Sequence, residues 1–433
     1  MPPFSHEKAY EEACRKGEIP GAVLVAADAT GKFRYGKAFG QTARGEKLAL
    51  DSVMWIASCT KLMTAVAALQ QVERGKIGLD DDVATLLPEL AALEVIDSFD
   101  ADGKPVLTKR TEKITLRYLH PSTYTFQLRW ALCYSDRNGY TNFNSRLLLC
   151  HSSGHGYEIM DPKLIQLMAS NPPRPTTKPP RTIVEDFWHP LAFQPGHGWS
   201  YGPGLDWAGK IVERLSGLKL EAYMRANIWE PLGMKNLAFD LRTRPDLERR
   251  KVSLSARGED GRLAYTDQGY TFSYWERDDH YGGSSVWSSA ESYLPLLQTL
   301  CANDGRVLAP ALADELFRPQ LGPEAKAALN HTVKAVDLTR RVYGNSFDTH
   351  GQEFDHGLGG VIGLRDDADS RRAAGTLSWG GLPNLIWWID RKSGLCGACF
   401  TQLVPVGDVK VNEMMKLFEK AVYERYQAVS AKL

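Results

Sequence analysis

No charge imbalance, no long apolar run and no cysteine framework mark this chain, and each absence closes a class of function. Its 52 Lys and Arg residues are matched by 52 Asp and Glu residues, so nothing points to nucleic acid or an anionic membrane surface as partner. No apolar stretch approaches the roughly 18 residues a membrane helix needs, so no membrane span is expected. The opening residues, Met1-Pro2-Pro3-Phe4-Ser5-His6-Glu7, lack a basic region followed by an apolar one, so a secretory signal is not expected. The 7 cysteines are odd in number and scattered from Cys14 to Cys399, which does not read as a disulfide set. Cys396 and Cys399 form a C-x-x-C with no second such pair; buried reduced thiols and a cytoplasmic location are expected. No cluster of histidines and carboxylates reads as a metal site, so neither a metal nor another cofactor is expected.

What the chain does contain is enough length for a full core. Its 433 residues suggest two or three domains, or one domain with a large insertion. Residues 22–27 and 33–39 read as two strands with a turn at 28–31. Residues 59–74 read as a helix with Leu62, Ala65, Val66 and Leu69 on one face, closed by Gly75. Residues 206–215, 221–229, 289–300 and 414–428 read as further helices. Three runs, 374–379, 385–390 and 395–403, have separators short enough for an antiparallel meander. Strands cluster at both ends and helices in the middle. The expected fold is therefore of the α/β (α+β) class: an antiparallel sheet built from both termini and flanked by helices, with a large, mostly helical inserted domain. The division follows as residues 1–80 plus 280–433 for the sheet domain and 81–279 for the helical one.

The most informative stretch is Ser58-Cys59-Thr60-Lys61. It sets a hydroxyl and an amine one turn apart on one face of a helix N-terminus. A serine hydroxyl needs a base within hydrogen-bond reach before it can attack an ester. An ammonium cannot accept a proton, so the lysine must be neutral when it acts; burial, the helix dipole and a second cation all push that way. The same spacing recurs at Ser5 to Lys8 and Ser216 to Lys219, but only Ser58 heads a long apolar-periodic helix. Further along, Gly196-His197-Gly198-Trp199-Ser200-Tyr201-Gly202 offers a phenol that could relay the proton as base and then acid. Residues 198–202 also fit G-x-S-x-G formally, but no strand precedes Ser200 as a nucleophile elbow requires.

With these residues in view, the chain resembles the serine β-lactamase and penicillin-binding-protein superfamily. Within it, the chain is similar to the branch holding class C β-lactamases, family VIII carboxylesterases and the fungal acyltransferases and esterases of statin biosynthesis. The resemblance covers nearly the whole length. It rests on Ser58-x-x-Lys61, the following Glu73-Arg74-Gly75-Lys76-Ile77-Gly78-Leu79-Asp80-Asp81-Asp82-Val83, Cys150-His151-Ser152-Ser153-Gly154, Tyr201-Gly202-Pro203, Pro231-Leu232-Gly233-Met234 and Gly282-Gly283-Ser284. It implies a β-lactamase/transpeptidase-like fold, Ser58 as nucleophile, Lys61 as base and Tyr201 as proton relay. Tyr134, in Tyr134-Ser135-Asp136-Arg137-Asn138, competes for the relay role but lacks the helix that should follow.

Departures from the family pattern narrow the expectation. Where a cation followed by Thr or Ser and Gly is usual, this chain has Trp379-Gly380-Gly381-Leu382. Tryptophan cannot hold a substrate carboxylate, so a β-lactam or D-Ala-D-Ala substrate loses an anchor. The resemblance then implies oxyanion-binding amides from Ser58 and Leu382, with Trp379, Gly380, Gly381 and Tyr157 lining the substrate cleft. About 28 residues, 118–145, also intervene where relatives pass directly on; they read either as a surface loop or as intron-derived sequence read through. The expected function is an acyl-enzyme at Ser58 formed from a small-molecule ester or thioester, with polyketide side-chain esters and an acyl-carrier donor among the candidates, and passed to water or an alcohol. The alternatives are an acyltransferase using thioester donors with little hydrolysis, a β-lactamase or D,D-peptidase, and a catalytically dead binding protein.

Overall fold

The computed structural model describes residues 6–42, 44–116, 148–170, 182–266, 278–335 and 352–430. The segment 118–145, with Tyr134, and the Ser5 of the first Ser-x-x-Lys match lie outside the described residues. Seven strands form the main sheet: β1 (Gly21–Asp28), β2 (Arg34–Gly40), β3 (Phe354–His356), β4 (Val361–Gly363), β5 (Leu377–Gly381), β6 (Leu385–Asp390) and β7 (Leu395–Phe400). Their order is β3-β4-β5-β6-β7-β1-β2, antiparallel throughout, with Val23 opposite Phe400 and Val25 opposite Ala398 where the two ends of the chain meet.

Both faces of this sheet are covered. Successive strand residues point to opposite faces, so Val23, Val25 and Ala27 enter one core while Ala22, Leu24 and Ala26 enter the other. The second core is closed by α1 (Glu7–Arg15) and the C-terminal helix Val409–Ser430 through Tyr10, Phe418, Val422 and Tyr423. The first core contains α2 (Thr60–Glu73), α3 (Gly204–Ser216) and α4 (Ala290–Ala302). The same alternation disposes of the C-x-x-C: an odd offset of three sends Cys396 into one core and Cys399 into the other. Six cysteines are free thiols among the described residues.

Two readings need correction. Helix α2 was expected to bury one face, yet every residue from Thr60 to Gln71 is buried. Helix α3 packs across it, so α2 runs through the interior rather than along its edge. The run expected as one strand over 395–403 is two: β7 ends at Phe400, and Leu403–Val404 leaves to pair in parallel with Leu254–Arg257. Between β2 and α4 the chain also forms antiparallel pairs, Val95–Phe99 with Pro105–Thr108, Leu254–Arg257 with Leu263–Thr266, and Met54–Trp55 and Leu237–Ala238 each with Trp287–Ser288. Among the described residues, no helix is long and apolar enough to cross a membrane.

Candidate active site

Ser58 is presented by a tight turn. The short strand Met54–Trp55 pairs with Trp287–Ser288, and Ile56 N–H donates to Val286 O at 3.0 Å. Ala57 then adopts a left-handed φ of 43°, a conformation costing a residue with a Cβ about 1–2 kcal/mol. The Ala57–Cys59 turn runs directly into α2, and three residues of helix bring Lys61 onto the face of Ser58. Strand β5 ends against this turn. A Cβ on Gly381 would lie 2.5 Å from the Ile56 carbonyl oxygen, so only glycine lets the strand approach so closely.

Lys61 is 1% exposed. Its Nζ donates to Ser58 Oγ at 3.2 Å, to the Gly283 carbonyl at 2.9 Å and to the Tyr157 hydroxyl at 3.4 Å. From the other side, the Tyr201 hydroxyl donates to Ser58 Oγ at 2.6 Å. One serine oxygen thus sits between an amine and a phenol, each within proton-transfer distance.

Tyr201 is held by the loop that follows Leu148. Ser200 N–H donates to His151 O at 3.0 Å, Tyr157 N–H to Tyr201 O at 2.8 Å, and Gly202 N–H to His151 Nδ1 at 3.3 Å. Ser200 therefore lies buried in an irregular loop with no strand before it, which removes the elbow reading. Behind the Tyr201 ring stand His151, with centroids 4.8 Å apart, and Trp379, 5.3 Å away. Trp379 is 3% exposed and its ring packs against the phenol, and the half-buried Gly380 and Leu382 follow it along the strand end. Burial, then the neighbouring His356 and Lys61, hold the His151 imidazole well below its ordinary pKa; burial takes His356 down to about 4. Both rings are neutral supports.

Of the residues singled out from sequence, Ser58, Lys61, Tyr201 and Tyr157 come together, while Ser216 and Lys219 do not. The Ser216 hydroxyl donates back to Val212 O, and Gly217, with φ 72°, ends the helix before Lys219. Sequence reasoning missed Asp206, 1% exposed, which accepts from the Tyr157 hydroxyl at 3.3 Å and from Gly283 N–H at 2.9 Å. An acid in the first turn of a helix is ordinary, and that hid it; its place between buried Leu205 and Trp207 was the available signal. His151 and His155 stand four apart, but in an irregular loop, and each joins a different cluster of rings. Among the described residues, no three His, Cys, Asp or Glu side chains are placed to hold a metal ion.

Residues 7–417 match the Beta-lactamase family. The chain is 36% identical over 430 residues to the monacolin J acid methylbutanoyltransferase of Aspergillus terreus, covering 97% of this chain and 95% of that protein. It is equally 36% identical over 426 residues to the lovastatin esterase of Penicillium rubens, covering 97% and 98% respectively. Among solved structures, the unliganded simvastatin synthase (LovD) of Aspergillus terreus superposes with a TM-score of 0.84 at 35% identity, over 98% of each chain.

Proposed function

The chain belongs to the Beta-lactamase family, as an esterase or acyltransferase of the serine β-lactamase-like superfamily, and from that premise we propose that Ser58 carries the acyl group. The observation behind this reading is the Ser58 oxygen lying 2.6 Å from the Tyr201 hydroxyl and 3.2 Å from Lys61 Nζ. In the first half-reaction the neutral Lys61 amine takes the Ser58 proton as Oγ bonds to the carbonyl carbon. The carbonyl electron pair moves to oxygen, which the amides of Ser58 and Leu382 receive. Collapse of that intermediate breaks the bond to the leaving alkoxide or thiolate. Tyr201 gives the leaving group a proton and recovers one from Lys61. Deacylation repeats the sequence in reverse, with water or an alcohol as nucleophile.

The substrate class is a small-molecule carboxylic ester or thioester, with polyketide side-chain esters the favoured members and an acyl-carrier protein the candidate donor. Hydrolysis and transfer share their first half. The two relatives quoted, one a transferase and one an esterase, are both 36% identical, so identity does not choose between them. The choice rests on how well water is kept from the acyl-enzyme. Incubating the protein with a p-nitrophenyl ester and a candidate alcohol, and asking which product dominates, tests the pair. Labelling by a fluorophosphonate should occur and should vanish in Ser58→Ala; undiminished labelling of that variant would remove Ser58 from the mechanism.

A further inference from the structure

A closed ring of hydrogen bonds runs through the buried side of the site, and nothing in the proposed reaction uses its far member. Lys61 Nζ donates to the Gly283 carbonyl and to the Tyr157 hydroxyl. The Tyr157 hydroxyl in turn donates to Asp206 Oδ2 at 3.3 Å, and Gly283 N–H donates to Asp206 Oδ1 at 2.9 Å. Asp206 therefore anchors two of the three groups that accept from Lys61, Ser58 Oγ being the third. The fit is close: a Cβ on Gly283 would lie 2.5 Å from Asp206 Oδ2. Helix α3, which begins just after Tyr201, fixes the carboxylate in its first turn.

We propose that Asp206 is a positioning residue that sets the direction of the Lys61 amine. A carboxylate only accepts hydrogen bonds. It therefore commits the Tyr157 proton to itself and leaves the Tyr157 oxygen to accept from Lys61. With two N–H bonds fixed on Tyr157 and Gly283, the remaining position on nitrogen, the lone pair of the neutral amine, is directed at Ser58 Oγ. The inference rests on the proposed role of Lys61 as base.

The substitution Asp206→Asn keeps the shape and removes this directing property. Asparagine can still accept from Gly283 N–H through its oxygen, but its amide then donates to the Tyr157 oxygen. The phenol proton is displaced toward the Lys61 nitrogen and occupies the lone pair Ser58 needs. Acylation should slow about 100-fold, as for a misdirected catalytic group. KM should stay within about 3-fold, since no substrate contact changes. Tyr157→Phe keeps the ring but removes that proton, and should cost only roughly 10-fold, the worth of one hydrogen bond.

The decisive variant is the double, Asp206→Asn with Tyr157→Phe. Removing the misplaced proton should restore acylation to the level of Tyr157→Phe alone, a rescue that no loss of packing produces. The assay is the pre-steady-state burst from a p-nitrophenyl ester, with thermal melts to verify folding. Losses that multiply in the double variant, or an Asp206→Asn rate within about 3-fold of the parent, overturn the inference. If Asp206→Asn does not fold, a Tyr157→Phe rate equal to the parent overturns it as well. Should the parent resist fluorophosphonate at Ser58, the reading of the site fails first; labelling without rescue sinks the role of Asp206 alone.

Discussion

Replacing Tyr201 by phenylalanine separates the proton relay from everything else that ring does. The ring packs with centroids 4.8 Å from His151, 5.3 Å from Trp379 and 5.2 Å from Tyr157, contacts that phenylalanine preserves. What is lost is the hydroxyl 2.6 Å from Ser58 Oγ. As a hydrogen bond that is worth about 1 kcal/mol of stability, and the melting temperature should fall by only ~1 °C for a chain this large. As a proton donor to the leaving group, a positioned side chain contributes about 100- to 10,000-fold, or roughly 3–5 kcal/mol of barrier at 1.36 kcal/mol per tenfold. Stopped-flow acylation by a p-nitrophenyl ester reads that difference directly. A variant that melts normally and acylates within about tenfold of the parent would refute the assignment, and Lys61 would then have to carry the proton alone. The contrast between a small thermal effect and a large kinetic one is the signature sought.

Gly381→Ala sets a Cβ 2.5 Å from the Ile56 carbonyl and should push β5 off the Ser58 turn. Acylation should drop about 100-fold with fluorophosphonate reactivity as the readout; an unchanged rate would remove the Leu382 amide from the oxyanion site. His356 bears on pH stability. Its folded pKa of about 4 lies below the ordinary 6.5, so the unfolded chain binds the extra proton and stability falls as pH drops from 6.5 toward 4. The loss between pH 7.5 and pH 5 is about 2 kcal/mol from this residue, measurable as a shift in urea midpoint that His356→Phe should shrink; an equal shift in that variant defeats the argument. Glu419→Gln should cost about 3–5 kcal/mol, because it strands the Arg372 guanidinium, now held at 2.9 and 2.7 Å in the core against the C-terminal helix. Chemical denaturation decides it, and a loss under about 1 kcal/mol would mean water reaches the arginine.

Local patterns carried a large share of the fold. Strands β1 and β2, the β5–β6–β7 meander and helices α2, α3 and α4 coincide to within a few residues with what period and turn residues suggested. The misjudged burial of α2 has a plain cause. Its sequence, rich in Ala, Thr and Gln, looks half-polar, yet Gln70 and Thr64 find backbone carbonyls inside the protein: Gln70 donates to Val307 O and Thr64 to Gly282 O. Partners so distant in the chain leave no trace in a window of residues.

The active site divides in the same way. By itself the sequence determined that a hydroxyl and an amine share one helical turn at positions 58 and 61, because three residues of helix fix that geometry wherever the helix lies. It also determined that no cation stands where Trp379 does. The family resemblance already pointed to Tyr201 as the phenol, whereas its distance to the serine and the linkage of Asp206 to Lys61 through Tyr157 and Gly283 were decided by tertiary structure alone. Those contacts join residues 49 to 222 positions apart, and they exist only because α3 and the strand segment after Gly283 are packed against α2.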